Sequence, residues 1–127
     1  MNTDSKGNYL VESFKSALRR LEEVMAMERT AVIRDSAIQR FEFTLDLAWK
    51  VLKARLQETK GVVCASPKDC MRQAFQQNIL SYDEFWITMV DLRNETVHTY
   101  NEKKADQIYD QLNECVTRFK QLESALG

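Results

Sequence analysis

The sequence predicts an all-α protein, an antiparallel up-and-down four-helix bundle with one additional short helix. Glycine and proline are scarce, with three Gly and one Pro in 127 residues, so regular structure has few points of interruption. Apolar residues recur at spacings of three and four along most of the chain, as one face of a helix requires. A chain of this length suffices for one hydrophobic core, and we expect a single domain over residues 1–127.

The first two helices are indicated by their apolar stripes. The first stripe comprises Leu10, Phe14, Leu18, Leu21 and Met25. The second helix is predicted from about Arg34 to Thr59, with Gly61 ending it just beyond. One of its faces carries Phe41, Leu45, Ala48, Trp49, Leu52 and Leu56, and a roughly opposite face carries Phe43, Leu47, Val51 and Ala54. Such a helix is either central in the bundle or uses its second face as a subunit interface.

The remaining helices are predicted from their capping residues. Ser66 is a favourable N-cap, and Pro67 follows at the first helical position, where its missing N–H costs nothing. The short third helix directs Cys70, Met71, Ala74, Phe75 and Ile79 inward. Ser81 to Glu84 form a capping-box pattern that opens the fourth helix. Asn101 caps the last helix, whose inner face comprises Ile108, Leu112, Cys115, Phe119, Leu122 and Leu126.

The bulk composition gives no support for a nucleic-acid partner, a membrane or a metal. Lys plus Arg (18) nearly balance Asp plus Glu (19), so no global field attracts nucleic acid, and any RNA contact needs a local cluster. The three cysteines (Cys64, Cys70 and Cys115) accompany no secretory signal or transmembrane run, so we expect reduced thiols, a cytoplasmic location and no membrane. Three cysteines and one distant histidine lack paired ligand spacing, so no metal is expected.

The segment from Asp91 to Tyr100 contains the only histidine, His98. Before it, one broad apolar arc of the fourth helix comprises Tyr82, Phe85, Trp86, Met89, Val90, Leu92 and Val97. Arg93 falls inside this arc. A cation facing a core is costly unless it is paired or lines a cleft. Arg93 is therefore either held by a buried partner or directed at an anionic ligand.

The spacing of Arg93 and His98 constrains how they could act together. On an ideal helix, residues five apart differ in direction by about 140°, so the two side chains would diverge. Their convergence needs a bend or helix end between them, or two subunits. The β-branched residues Thr96, Val97 and Thr99 lower helix propensity and favour a helix end near His98.

The string R-x4-H-x-Y, from Arg93 to Tyr100, resembles the motif of the HEPN family, specifically its small members encoded beside MNT-type minimal nucleotidyltransferases. The resemblance extends from about Leu10 to Leu126. Residues 40–50 are similar to the second helix of that family, residues 66–75 to its third, and Asn101-Glu102 follow the motif as they do there.

The resemblance implies two alternative functions. In the first, the protein is the toxin of a toxin–antitoxin pair, a homodimeric, metal-independent endoribonuclease without a cofactor. Arg93 and His98 would then carry catalysis, and a cognate nucleotidyltransferase would neutralise the toxin by transferring AMP to Tyr100. In the second, the protein is a non-catalytic subunit that holds substrate for the nucleotidyltransferase.

The residue types fit the chemistry of RNA cleavage. A base must remove the 2′-hydroxyl proton, a cation must stabilise the phosphorane, and an acid must protonate the leaving 5′ oxygen. Arg93 suits the cation role, since its planar fork can donate two hydrogen bonds to phosphate. His98 suits proton transfer near neutral pH. A histidine pair would require two chains, which favours the dimer.

Each of these residues also has a plainly structural interpretation. Arg93 could pair with Glu42 or Asp46, His98 could complement the dipole of a helix end, and Tyr100 could be a packing aromatic. Asn94 either orients the arginine or the substrate, or lies on the surface without a role. The lysines that follow, Lys103 and Lys104, form a basic rim for RNA or are simply solvated.

Overall fold

The computed structural model describes the backbone of residues 5–127 and the side chains from Gly7 onward; the first four residues of the predicted domain lie outside this part. The described chain is all-helical, as predicted. Its elements are α1 (Ser5–Met25), α2 (Ala31–Lys60), α3 (Pro67–Gln76), α4 (Phe85–Glu95), a 3-10 helix (Thr96–His98), α5 (Glu102–Tyr109) and α6 (Leu112–Leu126). The short additional helix of the prediction is α3, and α5 and α6 together occupy the place of the last helix.

Three predicted helix boundaries are confirmed by their local chemistry. Gly61 adopts a left-handed φ of 65° and ends α2 by donating its N–H to the carbonyl of Gln57. The Ser66 hydroxyl accepts the N–H of Asp69 at 3.2 Å and caps α3. The Asn101 side chain accepts the N–H of Lys104 at 3.1 Å and caps α5.

The predicted capping box of the fourth helix is wrong. Helix α4 begins at Phe85, and the side chain that reaches its first N–H groups is that of Asp83, which accepts the N–H of Phe85 at 3.0 Å. The same carboxylate accepts the Arg118 Nε–H of α6 at 2.9 Å. This tertiary contact explains why Asp83 rather than Ser81 sets the start of the helix.

The last helix is interrupted, where the sequence predicted a continuous one. Its hydrogen bonds tighten at Gln111, whose N–H donates to the carbonyl of Ile108, three residues earlier, at 3.0 Å. Asp110, at the break, accepts a 3.0 Å hydrogen bond from Arg29. The break separates α5, which follows the Arg93–Tyr100 segment, from α6, which closes the core.

The hydrophobic core surrounds α2, which contacts each of the other α-helices in the described chain. At its centre, the Phe119 ring of α6 lies 6.0 Å from the Phe14 ring, 6.0 Å from the Trp86 ring and 6.2 Å from the Phe41 ring, measured between centroids. All four aromatic side chains are at most 1% exposed. Four helices therefore meet at one buried aromatic cluster.

The second apolar face of α2 is only partly exposed to solvent. Val51 is 2% exposed and belongs to the core, so its assignment to a possible interface is wrong. Val51 lines the same cavity as Asn8 and Val11 of α1, so α1 packs over that side of α2. Phe43, however, is 45% exposed, and Leu47 and Ala54 are half-buried. These three residues form the outer apolar patch of α2.

The cysteines are not all reduced, contrary to the expectation. Cys64 and Cys70 form a disulfide that links the loop after α2 to α3. Cys115 is a buried free thiol, and burial raises its pKa to about 12. Within residues 5–127 no group of side chains is placed to hold a metal ion. The same described residues include no helix long and apolar enough to cross a membrane.

The two sides of α2 should respond differently to an introduced charge. Val51→Glu places an unpaired carboxylate in the core, and we expect it to lower the free energy of unfolding by about 3 to 5 kcal/mol. Phe43→Glu should remain folded, because the side chain reaches solvent. Urea unfolding measures the first effect, and sedimentation measures whether Phe43→Glu shifts a dimer to monomer. A Val51→Glu protein as stable as wild type would contradict the burial of Val51, and an unchanged dimer in Phe43→Glu would remove the patch as an interface.

Candidate active site

Arg93 extends from the last turn of α4 to the side of α2. Its Nε and Nη2 groups each donate to Asp46 at 3.0 Å, forming a bidentate pair, and Nη1 donates to Glu42 Oε2 at 3.0 Å. The pairing with Glu42 or Asp46 considered from the sequence is therefore present. The hydrogen bonds that Arg93 donates to Asp46 raise the pKa of Arg93 above its ordinary value. Arg93 is permanently charged and fixed in direction.

The pairing with Asp46 and Glu42 does not shield Arg93 from solvent. Its side chain is 29% exposed, and the contacts to Asp46, Glu42 and the Thr96 hydroxyl leave one Nη2–H of its five N–H donors without a partner among the described residues. The two carboxylates outnumber the guanidinium, so the cluster has a formal charge of −1. An anion can contact Arg93 through the remaining N–H or by displacing a carboxylate.

Thr96 completes this cluster, a role that was not predicted from the sequence. Its side chain is buried, and its hydroxyl lies 3.0 Å from Glu42 Oε2 and 2.7 Å from the carbonyl oxygen of Arg93. The hydroxyl also accepts from Arg93 Nη1 at 3.3 Å. The spacing could have indicated this role, because a threonine three residues after an arginine lies on the same side of a helix and can contact it.

The helix end expected between Arg93 and His98 is present. Helix α4 ends at Glu95, and the next three residues form a 3-10 helix that changes the direction of the following side chains. Val97 consequently leaves the apolar arc and is 65% exposed, and Tyr82, before α4, is 73% exposed. Both residues were wrongly included in the arc because the helical spacing was extended beyond the ends of α4.

His98 and Tyr100 lie together on the surface. The Tyr100 hydroxyl is 3.4 Å from His98 Nδ1, and the two rings meet edge to face with centroids 6.0 Å apart. Tyr100 is 82% exposed, so it is not a core-packing aromatic. Among the described residues, no hydrogen bond joins Arg93 to His98. One chain thus places a fixed guanidinium and an accessible imidazole at the same end of α4 without direct contact.

The other candidate residues, Asn94, Lys103 and Lys104, form few contacts with the described residues. Asn94 is exposed and forms no side-chain hydrogen bond to any described residue. Lys104 pairs with Glu95 at 2.9 Å and lowers the pKa of that carboxyl. Lys103 is exposed and forms no ion pair with the described residues. Asn94 and Lys103, unlike Lys104, can therefore reach a ligand without breaking an existing contact.

A second anchored arginine fixes the segment that follows the motif. Arg34 of α2 is 5% exposed and donates to Asp35 at 2.9 Å, to Glu102 at 2.8 Å and to Asp106 at 3.0 Å. The hydrogen bonds from Arg34 and Arg29 lower the pKa of Asp106. Arg34 thereby attaches α5 to α2 directly after Tyr100. From the sequence, Arg34 marked only a helix boundary, and this role was not predicted.

A double-mutant cycle on Arg93 and Asp46 measures whether the pair forms as described. We expect Asp46→Ala to lower the free energy of unfolding by about 1 kcal/mol, below the ~1.5 to 3 kcal/mol of buried charged hydrogen bonds, because solvent reaches both side chains. In the Arg93→Met background, Asp46→Ala should cost much less. Urea unfolding of the four proteins gives the coupling energy. Asp91→Ala, which removes an exposed carboxylate paired with Lys68, is the matched control. A coupling energy of zero would contradict the pairing.

Two solved structures share the fold of this chain. A protein from Thermus thermophilus has a crystal structure that superposes with a TM-score of 0.84 at 40% identity, covering 89% of this chain and 98% of that one. A Haemophilus influenzae structure, described as revealing the fold of a substrate binding domain of a nucleotidyltransferase, superposes with a TM-score of 0.80 at 26% identity, covering 91% and 98%.

A curated relative and a protein family match the sequence itself. The relative is a Haemophilus influenzae protein named probable ribonuclease HepT, 34% identical over 82 residues. That match spans 61% of this chain and 56% of the relative, so it covers little more than half of the relative's length. The family, described as nucleotidyltransferase substrate binding protein like, matches residues 10–127. The chain therefore belongs to the nucleotidyltransferase substrate binding protein-like family, a HEPN-family group paired with nucleotidyltransferases.

Proposed function

We propose that the protein is a metal-independent endoribonuclease that acts as a homodimer, with Arg93 and His98 as its catalytic residues. The observation that carries the proposal is the end of α4 at Glu95, which leaves Arg93 fixed beside α2 and His98 exposed within the next turn. The name of the Haemophilus relative is consistent with this activity.

The proposed reaction needs no metal. The 2′ oxygen of one nucleotide attacks its own phosphorus, the bond from phosphorus to the next 5′ oxygen breaks, and a 2′,3′-cyclic phosphate forms. A base takes the proton from the 2′-hydroxyl, and an acid returns a proton to the 5′ oxygen. His98 from each chain supplies one of these two proton transfers. Arg93 stabilises the additional negative charge on the phosphorane.

The carboxylates around Arg93 act as positioning residues in this scheme. Asp46 holds the Nε–Nη2 edge of the guanidinium, so the remaining Nη2–H has a fixed direction before substrate arrives. Preorganised donors of this kind cost no reorganisation during the reaction. Asn94, exposed beside Arg93 in the sequence, is proposed to bind substrate.

The homodimer supplies the second histidine. The outer apolar patch of α2 (Phe43, Leu47 and Ala54) lies on the same helix as Glu42 and Asp46. A two-fold interface through this patch would therefore bring the Arg93 clusters of two chains near each other. RNA as substrate places the protein in the cytoplasm, where the Cys64–Cys70 disulfide is an unusual feature.

The proposed partner is a cognate minimal nucleotidyltransferase that acts as antitoxin. Tyr100 is the proposed acceptor because the residue is 82% exposed. The phenolic oxygen would attack the α-phosphorus of ATP, pyrophosphate would leave, and the phenolic proton would pass to a base of the partner. The product places a phosphodiester beside His98, where its bulk and negative charge oppose RNA binding.

One observation favours the alternative function, a non-catalytic subunit that holds substrate for the nucleotidyltransferase. Arg93 is already engaged by two carboxylates, an arrangement that suits a structural cation as well as a catalytic one. The description of the Haemophilus structure also refers to substrate binding. In this role the protein alone would bind a nucleotide and leave RNA intact.

RNA decay in EDTA separates the two functions. Purified wild type should cleave RNA, and His98→Ala or Arg93→Ala should reduce the rate about 10² to 10⁴-fold, as positioned acid–base groups do. Gln107→Ala, an exposed change on α5, is the control and should leave the rate unchanged. If wild type and His98→Ala leave RNA equally intact while wild type binds nucleotide, the subunit function replaces the ribonuclease.

Tyr100→Phe tests the proposed switch. With the partner and ATP, wild type should gain one or more AMP units on the peptide that contains Tyr100 and lose nuclease activity, both measured on the same sample by mass spectrometry and RNA decay. Tyr100→Phe should fold normally and cleave RNA, yet resist neutralisation. Tyr109→Phe, in α5, is the matched control and should be neutralised like wild type. AMP on another residue, or equal silencing of Tyr100→Phe, would remove Tyr100 from the mechanism.

A further inference from the structure

The outward side of α2 carries an excess of positive charge beyond the Arg93 cluster. Lys50 and Lys53 are exposed and form no ion pair with any described residue. The two carboxylates that precede them on this side, Glu42 and Asp46, are both engaged by Arg93. The chain has a net charge of only −1 and no global field, but Lys50 and Lys53 provide two neighbouring cations that no described carboxylate neutralises by an ion pair.

A groove accompanies these lysines. It has a volume of about 600 Å³ and is lined by Leu10, Trp49, Lys50, Lys53, Ala54, Gln57 and Glu58. Trp49 is half-buried, so one part of its ring is held by packing while another part borders the groove. Lys53 Nζ lies 5.8 Å from the centroid of that ring. Glu58 is the one acidic residue in the lining.

The groove adjoins the Arg93 cluster along the helix axis. Trp49 and Lys50 follow Asp46 by one turn, a rise of about 5 Å, and Lys53 follows it by two turns, about 10 Å. Around the helix axis, Trp49 and Lys53 point about 120° and about 80° away from Phe43, whereas Lys50 and Ala54 point within about 20° of it. An interface through the outer apolar patch therefore leaves Trp49 and Lys53 accessible, and it places Ala54, which belongs to both surfaces, and Lys50 at the edge between the interface and the groove.

We propose that this groove binds the single-stranded RNA next to the scissile phosphate, with one base stacked on Trp49 and phosphates contacted by Lys50 and Lys53. An aromatic platform beside unpaired cations is the combination that binds single strands without reading sequence. The unpaired lysines oppose an apolar peptide as occupant and complement a phosphodiester backbone. The inference rests on the proposed function and assigns a binding site to its substrate.

The test uses a 2′-O-methyl oligouridylate, which lacks the attacking 2′-hydroxyl, so that binding is measured without cleavage. Fluorescence anisotropy of the labelled probe gives the affinity at several salt concentrations. Lys53→Ala should weaken binding and reduce the slope of log K against log salt by about 0.7, the loss of one phosphate contact. Trp49→Leu should weaken binding about 5- to 100-fold, the loss of one stacked base. Arg72→Ala, which removes an exposed unpaired cation of α3, is the control.

Tryptophan fluorescence provides a readout of the stack itself. Trp86 is 1% exposed and shielded from the probe, so quenching by the oligonucleotide should come from Trp49 and vanish in Trp49→Leu. Equal binding by Lys53→Ala, Arg72→Ala and wild type, or the absence of quenching, overturns the proposal. Because Lys53 is exposed, Lys53→Ala tests the site even if Trp49→Leu unfolds the protein.

The outcomes also separate this inference from the ribonuclease proposal. Binding that depends on Lys53 and Trp49, without cleavage of unmodified RNA, supports the groove and contradicts the ribonuclease. If Lys53→Ala and Trp49→Leu cleave RNA at the wild-type rate, that result supports the ribonuclease and contradicts the groove. Failure of wild type to bind the probe overturns the groove, and cleavage of unmodified RNA then decides the ribonuclease by itself.

Discussion

The structure depends on the burial of one long helix among all the others. Because α2 contacts each remaining α-helix of the described chain, most of its circumference is committed to packing. The side of α2 that remains uncovered therefore carries both the carboxylates that hold Arg93 and most of the residues that line the groove. This constraint explains why the carboxylates that hold Arg93, the outer apolar patch and most residues of the groove lie along a single helix.

Features set by local chemistry could be predicted from the sequence. Gly61 ends a helix because it accepts a left-handed conformation, and Ser66 and Asn101 begin helices because their side chains accept nearby N–H groups. The choice of Asp83 over Ser81 could not be predicted, since it depends on Arg118, which is 35 residues away in sequence. The disulfide and the burial of Val51 likewise depend on tertiary neighbours that periodicity does not specify.

The residues of the candidate site could be predicted from the sequence, but their geometry could be predicted only in part. The sequence identified Arg93, His98 and Tyr100, the need for a helix end between them, and Glu42 and Asp46 as possible partners. It could not decide between the partners, and the structure has both carboxylates on one guanidinium. The role of Arg34 was missed because a cation near a predicted helix start is ordinarily solvated, whereas here α5 folds back over it.

The position of Phe119 has a consequence for how the chain completes its fold during synthesis. This ring joins aromatic side chains from α1, α2 and α4, but it belongs to α6, which is made after all of them. Until α6 leaves the ribosome, Phe14, Phe41 and Trp86 lack the side chain that fills the space between them. Any packing of α1, α2 and α4 before that point leaves apolar ring surface without its partner, and exposed apolar surface promotes aggregation. The aromatic cluster is therefore complete only once α6 has been synthesised and has packed against the other three helices.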